Sequence, residues 1–261
     1  MLSKLIKYDT KKMSKILVYI YAITLGLACI TRLINIGKDI QIISIVGSVF
    51  AGLTYSAMFN IIVNMFVHIL KVFISSFYKD ESYLTHTLPI KKNKLLLSKY
   101  ISSIIVILTS VLVCFVSLFI MLYSKDFVAM LDTLLKAVVI NLNMSVGLFI
   151  TLMVIIIFAQ ICAMISFAFT AIIKGYSYNR KRGVKGLLWF FAFYFGSMIA
   201  TLLIALIVFA ITGNLSLLFA EQLTQGAFIT ILIIGLAMYI IYTILFFLMS
   251  RKEFNKGVNV D

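Results

Sequence analysis

Six apolar stretches divide this chain, and the sharing of its cations among their connections constrains the fold more than any other feature. The stretches run over about 16 to 34, 42 to 70, 100 to 123, 144 to 173, 187 to 212 and 228 to 250. Of 23 Lys and Arg, all but Arg32, Lys38, Lys125 and Lys136 fall in the N-terminus, the second and fourth connections and the C-terminus. The second connection alone carries Lys71, Lys79, Lys91, Lys92, Lys94 and Lys99. Asp39, Asp126, Asp132 and Glu221 offset the exceptions on the other side. The positive-inside rule then predicts an all-α membrane protein of six transmembrane helices, with both termini cytoplasmic. A hydrocarbon core of about 30 Å needs about 20 apolar residues per helix, and the stretches supply them.

Composition agrees, because 63% hydrophobic residues against 12% charged ones do not describe a water-soluble surface. The stretches run unbroken rather than alternating, which excludes a β-barrel. The first follows five lysines without a small-residue cleavage site and a soluble domain, so it reads as a retained helix rather than a signal peptide. The net charge of +14 reflects topology and anionic lipids as partners, with no nucleic acid implied. Cys29, Cys114 and Cys162 lie in apolar stretches at spacings that fit no metal or redox motif, and read as buried spectator thiols. The longest connection, about 71 to 99, leaves no room for a soluble domain, so 1–261 reads as a single transmembrane domain.

On a helical wheel, residues 1–15 gather Leu2, Leu5, Ile6 and Met13, with Ile16 just beyond, opposite Lys4, Lys7, Lys11 and Lys15. This pattern fits either an amphipathic interfacial helix or the ordinary positive flank of a first transmembrane helix. Asp9 sits on the apolar side and breaks the pattern. In the second stretch Ser56, Asn60, Asn64 and His68 recur every four residues and share one helix face. Amide and imidazole groups need partners in hydrocarbon, so this face is expected to point at other helices. It either lines a translocation path or bonds a neighbouring helix.

The second connection is the most unusual. Asp80 and Glu81 are adjacent, and Pro89 is the chain's one proline. Proline fits the first turn of a helix, so a new helix is expected to begin near Pro89 and run into the third stretch. The segment Lys79 to Thr87 mixes charge with Tyr83 and Leu84, as a docking element or a solvated loop does. Ser124 to Lys136 is expected to be an external loop or short interfacial helix, and the basic residues after Lys174 a cytoplasmic turn. The segment 213–227 is external and apolar enough to re-enter the membrane if other helices cover its backbone.

Several chemistries are missing from the sequence. There is no G-x-x-x-x-G-K-[ST] phosphate loop. No acid lies in the core of a stretch, which weighs against an ion-coupled secondary transporter. His68 and His86 belong to no metal-ligand pair, and no acidic group accompanies His68 to orient it for a serine nucleophile. The chain is expected to have no catalytic residues, no metal and no enzyme activity of its own.

The run Asp80-Glu81-Ser82-Tyr83-Leu84-Thr85-His86-Thr87-Leu88-Pro89-Ile90, followed by Leu95-Leu96-Leu97-Ser98-Lys99, resembles a signature of small six-helix permease subunits of bacterial ATP-binding-cassette transporters, of the type-2 exporter class. Family members commonly have Gly where this chain has Ser82. The resemblance implies a coupling helix within 75–99 that docks on a separate P-loop ATPase subunit, carried by Lys79, Asp80, Glu81, Tyr83, Leu84, Thr87, Leu88 and Pro89. It also implies a second permease copy or a similar permease as partner, a bacterial cytoplasmic membrane, and a hydrophobic or amphipathic exported substrate. No cofactor is bound directly, since ATP and Mg2+ belong to the ATPase. The alternatives are a non-transporting interaction, assembly or sensor protein, and a secondary transporter.

Overall fold

The structure, a computed structural model, describes residues 2–37, 40–79, 81–87, 90–142, 144–213 and 224–256. The chain divides into two compact units, Met1–Ala129 and Met130–Asp261. All regular structure among the described residues is helical. Among the described residues six helices are long and apolar enough to cross a membrane: α2 (Leu17–Ile36), α3 (Gln41–Tyr78), α5 (Lys92–Leu122), α7 (Val146–Tyr176), α8 (Arg182–Ile211) and α9 (Gln225–Asn255). The chain is thus built as a multi-pass membrane protein. Their outward faces are rich in Ile, Leu, Val and Phe, the composition that hydrocarbon requires. The shorter helices are α1 (Leu2–Ser14), α4 (Ser82–Thr87) and α6 (Lys125–Leu142).

In the first unit α2, α3 and α5 pack together, and α1 lies along α5. Lipid gives apolar side chains no reason to leave it, so helices associate through close packing and polar contacts instead. The unit uses both. Tyr21 of α2 meets Ser110 of α5 at 2.5 Å between hydroxyls, and Thr31 of α2 meets Thr54 of α3 at 2.9 Å. The apolar core between them is Met58, Ile61, Met65 and Ile69 from α3 with Val106 and Ile107 from α5.

In the second unit α7 packs on α8 and α9. Phe167 and Phe246 meet edge to face at 4.7 Å between centroids, over Ala163, Met238 and Tyr242. Thr170 of α7 reaches Ser250 of α9 at 2.7 Å. At the other crossing Gly175 of α7 lies against Gly186 of α8. A methyl group at 175 would stand 2.5 Å from the Gly186 backbone, so only glycine permits that approach. Beside it the Lys174 ammonium lies 4.2 Å from the Trp189 ring centroid.

The helices overrun the apolar stretches at their lysine-rich ends. The second stretch continues as helix to Tyr78, and the helix that runs into the third stretch begins at Lys92, close to the start expected near Pro89. Of the coupling region placed at 75–99, residues 75–78 and 92–99 therefore extend the long helices, and α4 is the element between them. The segment after Ser124 is a helix, α6, with Asp132 and Lys136 paired at 2.6 Å one turn apart. Residues 214–223 of the possible re-entrant segment lie outside the described residues. Gly213 before them takes a left-handed φ of 69°, and Thr224 after them caps α9.

Candidate functional site: the lysine-rich end of the first unit

The face of α5 that receives α1 is built from small polar residues. Ser98 and Ser102 are one turn apart, as are Lys99 and Ser103, and all four are buried. Serines let a second helix approach closely while offering hydroxyls to it. Ser102 Oγ donates to the Ile6 carbonyl at 3.2 Å, and Met13 packs fully buried in the same contact, its Sδ 3.9 Å from Ser103 Oγ.

Between those contacts lies Asp9. Its Oδ2 accepts from Ser98 Oγ and its Oδ1 from Lys99 Nζ, both at 2.6 Å. The side chains of Asp9 and Lys99 are 5% and 6% exposed, so this is an ion pair inside the protein. Asp9 does not flaw the amphipathic pattern of α1. It is the polar anchor of the apolar face, and that face rests on α5 instead of turning wholly to lipid. Lys4, Lys7 and Lys11 are exposed on the opposite side.

Lys99 also donates to Ser76 Oγ of α3 at 2.9 Å, and its ammonium lies 5.9 Å from the Phe77 ring centroid. Ser76 in turn donates to Glu81 Oε2 at 3.5 Å, and Glu81 pairs with Lys12 of α1. One chain of contacts therefore joins α1, α5, the end of α3 and the segment leading into α4. Partial exposure of Lys12 and Glu81, at 24% and 38%, makes that pair far weaker than the buried one. The turn itself is held by Ser82 N–H to the Lys79 carbonyl at 2.7 Å, and by Thr85 Oγ1 to the Glu81 carbonyl at 2.9 Å.

The residues expected to dock a partner divide accordingly. Lys79, Tyr83 and Thr87 are exposed, Tyr83 at 67%, and Leu84 lies in α4. Glu81, 38% exposed, pairs with Lys12 within the unit. Asp80, Leu88 and Pro89 lie outside the described residues. Ser98 and Lys99, the end of the quoted run, face inward and hold α1.

The stripe Ser56, Asn60, Asn64 and His68 falls on a different face. The face of α3 that packs within its unit carries Thr54, Met58, Ile61, Met65 and Ile69, while Asn64 and His68 are half-buried. Ser56 and Asn60 are exposed, and Asn64 bonds only back to Asn60, through its carbonyl at 3.0 Å and its side-chain oxygen. Cys29 departs from expectation, being exposed, while Cys114 is half-buried with its Sγ 3.9 Å from the Met58 carbonyl. Among the described residues no group of three or more His, Cys, Asp and Glu is placed to hold a metal.

Sequence reasoning missed Asp9, Ser76 and Lys99 as a group. The available signal was a pair of opposite charges, each on an otherwise apolar helix face. Comparison with protein-family models, with curated proteins and with solved structures finds no match.

Proposed function

We propose that this chain is the membrane-spanning permease subunit of an ATP-binding-cassette transporter, exporting a hydrophobic or amphipathic substrate with energy from a separate P-loop ATPase. What carries the reading is α4: a six-residue helix between two long apolar helices, within the run that resembles the permease signature. It presents Tyr83 outward, while Glu81 at its base is tied to α1 through Lys12. A coupling element needs both an outward surface for the partner and a contact with the membrane helices that can open and close with the transport cycle. The cation distribution supports a cytoplasmic position for this end, where ATP is, and the resemblance to bacterial permeases supports a bacterial cytoplasmic membrane. Two such permeases would enclose the path, and the stripe Ser56, Asn60, Asn64 and His68, exposed at its first two residues and half-buried at the others, supplies polar groups to line it. The exposed lysines of α1 meet anionic head groups.

The test is isolation of the tagged chain from its native membrane in mild detergent, with identification of co-purifying proteins and an ATPase assay. The expected result is a P-loop ATPase near equal stoichiometry. Lys79→Glu with Tyr83→Ala should lower ATPase recovery while the permease stays in the membrane. These two positions are preferable to Glu81, whose replacement also breaks a contact within the unit. Recovery of the chain without any ATPase would overturn the reading.

A further inference from the structure

A half-open cavity of about 260 Å³ lies between α7, α8 and α9 of the second unit. Its polar groups lie near mid-helix, with Gln160 exposed and Tyr194 37% exposed. Gln160 and Tyr239 stand near the midpoints of two 31-residue helices, and Tyr194 and Ser197 near the midpoint of the 30-residue α8. Within the cavity Tyr242 is satisfied, since its hydroxyl donates to the Ser197 carbonyl at 2.9 Å and meets Thr201 Oγ1 at 3.0 Å. The hydroxyls of Tyr194 and Tyr239 and the amide of Gln160 have no hydrogen bond to another described residue, though all three line the same space. Donors left idle at that depth are costly, because hydrocarbon offers them nothing. Lipid ester oxygens do not reach them, lying about 15 Å away at the edge of a hydrocarbon core about 30 Å thick.

The geometry points to a binding site for a neutral, lipophilic molecule carrying a carbonyl or ether oxygen, which accepts from these idle donors. No charged side chain lines the cavity, so an ionic ligand would enter without a counter-charge. The rest of the wall is apolar and adaptable: Phe167 gives an aromatic face, and Met164 and Met198 are flexible, polarisable side chains that fit irregular shapes. A dry cavity of about 150 Å³ accepts a single benzene ring. A space of about 260 Å³ therefore suits two rings joined through one atom. No residue of the stripe on α3 lines this cavity, and the site does not depend on an ATPase partner.

The test uses the full chain in phospholipid nanodiscs with benzophenone as probe, two rings joined by a carbonyl that label nearby C–H bonds on irradiation. Peptide mass spectrometry should place saturable adducts on Met164 and Met198. Fluorenone should displace them at about a tenfold lower concentration than fluorene, the same ring system without the oxygen, as one hydrogen bond of ordinary strength predicts. The variant Tyr194→Phe/Tyr239→Phe should reduce these adducts about tenfold, and Ala205→Trp, which fills the space, should abolish them. Adducts that never saturate and spread over the lipid-facing side chains of all the long helices would overturn the site. Equal displacement by fluorene and fluorenone would overturn the acceptor requirement, and this comparison on the unmodified chain decides the matter even if a variant fails to fold.

Discussion

Asp9→Ala should release α1 from the first unit. The substitution leaves the Lys99 ammonium, 6% exposed, with Ser76 Oγ at 2.9 Å and the Phe77 ring as its remaining close partners. Removing one member of a buried pair costs about 3–5 kcal/mol, mostly as the penalty of the charge left behind. Lys99→Met strands Asp9 in the same way, with Ser98 Oγ at 2.6 Å as its remaining donor. Asp9→Leu/Lys99→Met removes both charges and should lie within about 1–2 kcal/mol of the unmodified chain, because apolar residues of similar size replace a buried pair at little cost. At about 2–4 °C per kcal/mol, each single variant lowers the unfolding midpoint by on the order of 10 °C, and the double variant recovers most of it. The assay is thermal unfolding of the purified chain in detergent at one fixed scan rate, paired with trypsin digestion at Lys4, Lys7 and Lys11. If α1 opens locally before the unit unfolds, the singles show faster cleavage there even where the midpoint moves less. Single variants that neither unfold earlier nor cut faster, or a double variant as weak as the singles, would refute the buried-pair account.

Other expectations follow from the same coordinates. Lys12→Ala should shift the midpoint by no more than a few degrees, since the Lys12–Glu81 pair is partly exposed and worth about 1 kcal/mol or less. A shift as large as that of Asp9→Ala would place the main anchor there instead. Gly175→Ala should destabilise by about 1–3 kcal/mol, because the new methyl meets Gly186 backbone at 2.5 Å. Gly186→Ala should be tolerated, its methyl finding the Ala171 carbonyl at an ordinary 3.5 Å, and equal midpoints for the two variants would sink the close-crossing argument. Asn60→Leu/Asn64→Leu should change stability by less than about 1 kcal/mol, as Asn60 is exposed, Asn64 only half-buried, and the hydrogen bonds of Asn64 run only to Asn60. The same variant should cut substrate transport in vesicles, and unchanged transport would remove the stripe from the path.

The six long helices were legible because runs of about 20 apolar residues admit few other readings. At their lysine-rich ends Pro89 marked a helix start, but what the polar residues there do was not legible. Ser76, Ser98 and Lys99 look solvent-facing by polarity, yet each is buried. Hydropathy averages cannot distinguish a solvated lysine from one whose charge is met by a partner 90 residues away. The second stretch illustrates a different limit. Its face was chosen from polar periodicity, but α3 is apolar nearly all round, so packing was free to use Met58, Ile61 and Met65 instead. Side-chain size and the hydroxyl pair Thr31–Thr54 decide that face, and neither shows in a period of four.

The buried pair also bears on how α1 could act in the proposed transporter. An amphipathic helix of 13 residues held by apolar contact alone can slide or roll, because such contact has little direction. Asp9 removes that freedom. Only one register sets its two oxygens against Ser98 and Lys99 while Met13 fills the space beside Ser103. A displacement by one turn would bury an acid against apolar side chains and expose Met13, a change costing several kcal/mol. Since Lys99 grips Ser76 and Lys12 grips Glu81, α1 moves with the end of α3 and the base of α4 or gives up one of those contacts. The strong contact runs from α1 to α5 and the weak one from α1 to α4. A force applied at α4 would therefore part Lys12 from Glu81 before it parted Asp9 from Lys99. Cross-linking Lys12→Cys to Glu81→Cys should then block ATP-driven transport, whereas cross-linking Ile6→Cys to Ser102→Cys, on the strong side, should leave it running.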